Sequence, residues 1–208
     1  MKKLYIVGAG GFGRELASWI NDVPEGERNW IMHGFLDDDS NALNPFGSFA
    51  SAMPLASHKV SPDNIYICGV GSPKIKKKVI QPLLKQGAQF ISFVHPRALI
   101  GDRVKLGMGV VICPESVLSC DIELGDFSMI NLRSTVGHDV KVGPWSTISA
   151  QCDLTGGAQL GAEVFLGSRV SVIPGKKVGD GATIGAGSVV MTNIPDGVTA
   201  FGSPARIL

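Results

Sequence analysis

Aromatic residues are scarce: nine Phe, three Trp and two Tyr make up 7% of the 208 residues. An excess of one charge is missing too, since 19 basic against 18 acidic residues leave a net charge of +1. Such a balance gives no electrostatic footprint for nucleic acid or an anionic membrane surface, so neither is an expected partner. Cysteine is sparse, and Cys68, Cys113, Cys120 and Cys152 form no CxxC pair. That pattern suits free thiols in a reducing cytoplasm, the expected location. The longest uncharged stretches carry Pro, Ser, Asn and Gly, so none reads as a membrane span. Met1 leads straight into an apolar strand pattern without the h-region of a signal peptide. With 44% hydrophobic and 18% charged residues the chain is not disordered, and its length supports one large domain or two small ones. Glycine is what abounds: 27 residues, about 13% against a usual ~7%.

The glycine belongs to a repeat. Stepping by six from Val94 to Val190 meets 17 positions, every one Val, Ile or Leu, although these types form only about a quarter of the chain. Glycine follows nine of them, as at Gly101, Gly137, Gly167 and Gly185, and a small or branched residue such as Ser128, Cys152 or Val164 stands four positions on. A period of six describes a coil with flat sides, each side a short strand with one aliphatic residue pointing inward. Small residues at corners permit tight turns. Three hexads close a triangular coil, so the repeat predicts just under six coils, a prism ~27 Å tall with no slip in register. Lys176 stands at an inward position, where a lysine must reach solvent or a partner.

The [LIV]-G-x-x-[STAV]-x units, together with the end of the chain from Val178 through Gly202-Ser-Pro-Ala-Arg206, resemble the hexapeptide-repeat acyltransferases. The resemblance implies a left-handed parallel β-helix, and a trimer whose sites lie between neighbouring prisms.

The first ninety residues read differently. A strand at Lys3–Val7 runs into Gly8-Ala-Gly-Gly-Phe-Gly13 and a helical pattern to Asn21. The GxGxxG spacing allows a tight turn and aims amides at a phosphate at the helix N-terminus. A second strand near Ile31–Leu36 ends in Asp37-Asp38-Asp39, whose carboxylates suit ribose hydroxyls or base donors. Residues 40–58 form a polar, Pro-containing connection. A third strand at Ile65–Val70 leads through Gly71 into a helix near Pro73–Gln86, and a fourth lies at Phe90–Phe93. Lys74, Lys76, Lys77 and Lys78 read as the solvated face of that helix. About ninety residues hold one mononucleotide half, too few for a dinucleotide dehydrogenase. A nucleotide-sugar site is favoured over glycines that serve packing alone.

A Rossmann-like α/β domain (1–93) directly followed by a left-handed β-helix (94–208) is the layout of the PglD-like nucleotide-sugar N-acetyltransferases. The opening IVGAGGFGREL, FLDDD, the VHP junction and GHD resemble that family over essentially the whole chain. The resemblance implies acetyl transfer from acetyl-CoA, as co-substrate, to an amino group of a nucleotide-linked amino-deoxysugar. Sugar O-acetylation and a non-catalytic nucleotide-sugar-binding β-helix are the alternatives.

Imidazole titrates in the range needed to take a proton from an attacking amine. Of the prism's two histidines, His95 precedes Pro96 at the domain junction, which points to a structural role, and His138 falls near a corner open to substrate. Two histidines are too few for a three-histidine zinc site, so no metal is expected. By resemblance His138 is the general base, Asp139 its acidic partner, and Asn131 a polar neighbour. Gly10, Gly11 and Phe12 correspond to the loop around the nucleotide-sugar phosphates, with Phe12 in place of a histidine. Asp37 and Asp38 match base- and ribose-binding carboxylates, and Gly71 passes the nucleotide closely. Thr147, Gly156, Ser168 and Ala186 align with acetyl-CoA contacts, Thr147 replacing a second histidine. Lys176 and Lys177 are further candidates for CoA phosphates, although a solvated face suits them better.

Overall fold

The computed structural model describes residues 1–39, 41–43 and 52–208. The chain forms two compact units, one of residues 1–71 with 75–91 and one of residues 92–208 with 72–74.

The first unit is a five-stranded parallel sheet in the order β3-β2-β1-β4-β5. Its strands are β1 (Lys2–Val7), β2 (Trp30–Leu36), β3 (Ala52–Met53), β4 (Asn64–Cys68) and β5 (Gln89–Phe90), with helices α1 (Gly11–Ile20) after β1 and α2 (Pro73–Lys85) after β4. The central strands β1 and β4 are nearly continuous apolar runs, as strands covered on both faces must be. Helix α1 buries Gly13, Leu16, Ala17 and Ile20, an i, i+3, i+4, i+7 stripe. Within the polar connection the structure adds β3 and a 3-10 turn at Leu55–Ser57, while residues 40 and 44–51 of that connection lie outside the described residues. The expected strand at Phe90–Phe93 is two short ones, Gln89–Phe90 in this sheet and Phe93–Val94 in the prism.

Lys76 corrects the reading of the lysine run. It is 1% exposed, because the buried stripe of α2 runs Lys76, Ile80, Leu83 and takes the lysine with it, whereas Ile75 is exposed. Burial lowers the Lys76 ammonium to about 8, the nearby Cys68 thiol working in the opposite direction.

The second unit is a parallel β-helix. Two-residue strands stack at a register of 18 residues, as Leu99, Val117, Thr135 and Asp153 do, building three sheets of six, five and eight strands. The aliphatics from Ile112 onward fill one continuous core. In the first coil Ile100 is 39% exposed. Small polar residues four positions after the aliphatics are satisfied inside the prism: Ser116, Ser134 and Ser146 each donate to a carbonyl fifteen residues on.

Every sixth residue from Arg103 to Gly187 adopts positive φ, ten of the fifteen being non-glycine. A left-handed residue turns each corner, and its amide bonds the coil before, as Arg133 N does to Pro114 O. The 18-residue register holds through Val190, as the repeat predicts, and shortens only beyond it. Thr183 pairs with Thr199 and Val178 with Ile194, so the last coil has 16 residues, with the Asn193 side chain capping Lys177 N at 3.0 Å. An antiparallel strand, Ala205–Ile207, then closes the end.

Candidate active site

The glycine loop divides into two roles. A Cβ on Gly13 would stand 2.0 Å from Gly8 O, and one on Gly69 would stand 2.9 Å from Gly13 Cα, so these glycines allow α1 to meet the ends of β1 and β4. Gly8 also needs its φ of +103°. Gly10 differs, since a Cβ there meets nothing within 4 Å. Gly10 and Gly11 open α1 without a side-chain cap or an acidic residue in its first turn, an end whose amides would suit an anion. Phe12 lies half-buried against Trp19, ring centroids 6.3 Å apart, and the Arg14 guanidinium donates to Ala9 O at 3.2 Å.

Asp37 and Asp38 are not equivalent. Asp37 accepts from Ala9 N at 2.7 Å and from Asp39 N at 3.0 Å, tying the glycine loop to the end of β2. Asp38 is exposed and, among the described residues, accepts from Leu55 N at 3.2 Å. Both line a cleft of about 110 Å³ with Val7, Gly8, Leu55 and Val70, at the carboxyl ends of β1, β2 and β4. That is the switch point of the strand order, where open α/β sheets take ligands. Gly71 follows Val70 directly.

In the prism, His138 Nδ1 meets Asp139 Oδ2 at 2.7 Å. The corner requires positive φ at position 139, which Asp tolerates better than most residues (φ +60°), and this conformation turns the carboxylate back onto the preceding ring. Gly157 N donates to His138 O at 2.8 Å and pins the backbone. A carboxylate on Nδ1 fixes the proton there and leaves Nε2 as acceptor. The side chain is 66% exposed, open to a reactant. Gly156, one coil on, underlies the ring.

The 18-residue step shows what the sequence reading missed. One coil before Asp139 stands Asp121, and one before that Arg103, all three at positive φ. Arg103 grips Asp121 in a fork, Nε to Oδ1 at 2.6 Å and Nη2 to Oδ2 at 2.9 Å, and holds its carboxyl down at about 2.

The expected acetyl-CoA residues do not all gather at His138. Gly156 shares its corner, whereas Ser168 and Ala186 stack on the next corner, across the sheet that contains Thr135 and Asp153. Asn131 is near that second corner too, where it caps Leu132 N at 2.7 Å. Gly156, Ser168 and Ala186 donate their amides to no protein group among the described residues. On the third corner the equivalent amides of Met108, Ala162 and Asp180 are capped by Asp126, Asp180 and Asp196. Thr147 is only 1% exposed, so its side chain offers no accessible contact in this chain. Lys176 is half-buried and Lys177 exposed. His95 is buried, its Nδ1 accepting from Arg97 N at 3.1 Å. Among the described residues no three His, Cys, Asp or Glu side chains cluster as for a metal ion, and no helix is long and apolar enough to cross a membrane.

Comparison with known proteins adds to this geometry. Residues 3–83 match a family model described as the PglD N-terminal domain, and residues 158–191 one described as the hexapeptide repeat of succinyl-transferase. GDP-perosamine N-acetyltransferase of Escherichia coli O157:H7 is 27% identical over 97% of this chain and 94% of its own. The acetyltransferase domain of PglB from Neisseria gonorrhoeae superposes with a TM-score of 0.89 at 28% identity, covering all of both chains. PerB from Caulobacter crescentus, solved with CoA and GDP-perosamine, gives a TM-score of 0.86 at 26% identity over 100% of this chain and 98% of that one. Two further acetyltransferase relatives are matched over only 28% and 21% of their own length.

Proposed function

We propose the following reaction for this chain, which belongs to the PglD-like sugar acetyltransferases and whose prism is the left-handed β-helix of that fold: it transfers acetyl from acetyl-CoA to the amino group of a nucleotide-linked amino-deoxysugar, a 4-amino-4,6-dideoxyhexose. The observation that carries the proposal is the 2.7 Å contact between His138 Nδ1 and Asp139 with Nε2 left open. The amine nitrogen attacks the acetyl carbonyl and gives its proton to Nε2, while Asp139 stabilises the imidazolium. The C–S bond then breaks, and the CoA thiolate takes the proton from Nε2. An amide and free CoA leave, and the imidazole is again neutral.

In this reading the domain 1–93 holds the nucleotide sugar through the amides at Gly10 and Gly11, with Phe12, Asp38 and Gly71 around it and Asp37 keeping the loop in place. The outward amides at Gly156, Ser168 and Ala186 suit the amide-rich arm of CoA, which side chains need not recognise. Their division between two corners is reconciled by a cytoplasmic homotrimer, in which one prism offers His138 and its neighbour offers the second corner.

Incubation with acetyl-CoA and GDP-perosamine, the ligand of the Caulobacter relative, tests the reaction, beside UDP- and dTDP-linked amino-sugars. The expected product survives mild alkali, as amides do and esters do not. His138→Ala is expected to abolish turnover while acetyl-CoA affinity holds; wild-type kcat in that variant removes His138 from the mechanism.

A further inference from the structure

Two charged pairs occupy one edge of the prism, and the reaction as derived uses only one of them. His138 and Asp139 form the upper pair and Arg103 and Asp121 the lower, with the two carboxylates on consecutive coils at the same left-handed position, φ +60° and +57°. Arg103, Asp121 and Asp139 line a single cavity of about 340 Å³ together with Lys105, Glu123 and Lys141. Of the last three, Glu123 is shared between the two lysines, 3.6 Å from Lys105 and 3.4 Å from Lys141, so the trio leaves one net positive charge in the cavity. Asp102 stands 4.0 Å from Arg103 at the exposed lower end. Between Asp102 and His138 the corner carries Cys120, and beyond His138 it carries Gly156 and Pro174, which add no charge. The charged and titratable groups around the imidazole are therefore Asp139, in contact, Asp121 with its guanidinium clamp, the Cys120 thiol beside Asp121, and the net positive charge of the Lys105, Glu123 and Lys141 group.

We propose that Asp121 is a positioning residue for the His138 base, a second carboxylate acting through space, and that Arg103 sets how much of its charge the imidazole feels. The Asp121 charge favours the imidazolium that forms as the amine is deprotonated. Arg103 opposes it, so that the imidazole meets only part of the Asp121 charge. The coupling runs both ways, since the imidazole is among the groups that lower the Asp121 carboxyl, after Arg103 and Cys120. The inference rests on the reading of His138 as base.

The test separates the two claims by measuring the ring directly. The Cε1–H signal of His138 in the intact protein is identified by its loss in His138→Asn and titrated by NMR. Asp121→Asn is expected to lower the midpoint by about 0.3–0.5 pH units, and Arg103→Gln to raise it by about as much. The double variant returns it close to wild type, and both shifts shrink in 1 M salt. Asn suits the left-handed position as well as Asp does, and Gln costs no more there than Arg, so the fold is kept. The acid limb of log(kcat/KM) against pH is expected to move with the ring. A midpoint unmoved by both substitutions overturns the proposal. So does an unmoved midpoint with a raised KM for acetyl-CoA in Arg103→Gln, which makes Arg103 an anion contact. Ring shifts that the acid limb does not follow support the pair and remove the base assignment instead.

Discussion

The ring of His138 fills the space in which a side chain at Gly156 would begin: a Cβ built there stands 2.5 Å from Nε2 and 2.6 Å from Cε1. The glycine is required by the His138 ring and not by its own backbone, which is not left-handed. Gly156→Ala is thus expected to push the imidazole off its seat and lower kcat by about 10–100-fold, since misplacement of an ångström is that costly. Thermal unfolding within a few degrees of wild type is expected alongside, because a side-chain tip can move. A large loss of Tm would make Gly156 a packing residue.

Asp139→Asn isolates charge from conformation, because Asn also tolerates the left-handed corner. It removes the carboxylate that fixes the tautomer, and kcat is expected to fall by about 10²-fold or more with substrate KM little changed. Steady-state kinetics at fixed pH check this. A kcat within twofold of wild type would mean that the 2.7 Å contact does nothing for the ring.

Gly13→Ala acts on the other unit. The new Cβ meets Gly8 O at 2.0 Å, a backbone atom that cannot swing aside. Overpacking of this kind costs about 1–3 kcal/mol or more, read as an earlier urea midpoint. Gly10→Ala, with open space around its Cβ, is expected to leave that midpoint unchanged.

Lys76 predicts a pH dependence with a definite sign. Its folded value of about 8 lies below the unfolded 10.5, so the unfolded chain binds the extra proton between those limits and stability rises with pH there. Below about pH 8 the burial penalty is present in full. Tyr5, Tyr66 and Cys68, raised by burial, push stability the opposite way as they ionise. The difference between wild type and Lys76→Met therefore isolates the lysine: it should vary between pH 8 and 10.5 and be level below. Urea titrations across that range measure it, and a difference that does not vary with pH refutes the assignment.

The prism was legible because one physical requirement, an inward aliphatic on each flat side, repeats at a fixed interval. The same interval, tripled, would have led from Asp139 to Asp121 and Arg103. The short last coil was not legible, because Ile194 re-enters the core four residues after Val190 and the periodicity simply stops. Lys76 was misread by composition, since four lysines in five positions suggest a wet face. The stripe traced back from Leu83 through Ile80 puts the lysine inside. Packing glycines and open glycines look alike in GxGxxG, and Asp37 and Asp38 look alike as neighbours. Only the position of the chain behind each of them separates their roles. The burial of Thr147 depends on tertiary covering, which a two-residue strand does not announce.

The fixed register restricts how this scaffold can change length. Each corner column is defined by counting 18, so an insertion of one or two residues between Ser92 and Val190 carries every later side chain off its column. Six residues added between His138 and Gly156 would supply a whole flat side but turn the rest of the chain by a third of a revolution, and His138 would lose its neighbour at Gly156. Whole coils can be gained or lost without that penalty. The one shortened coil falls after Val190, beyond every residue assigned to the chemistry. Length variation in this protein is thus quantised through the working part of the prism and free only at its end.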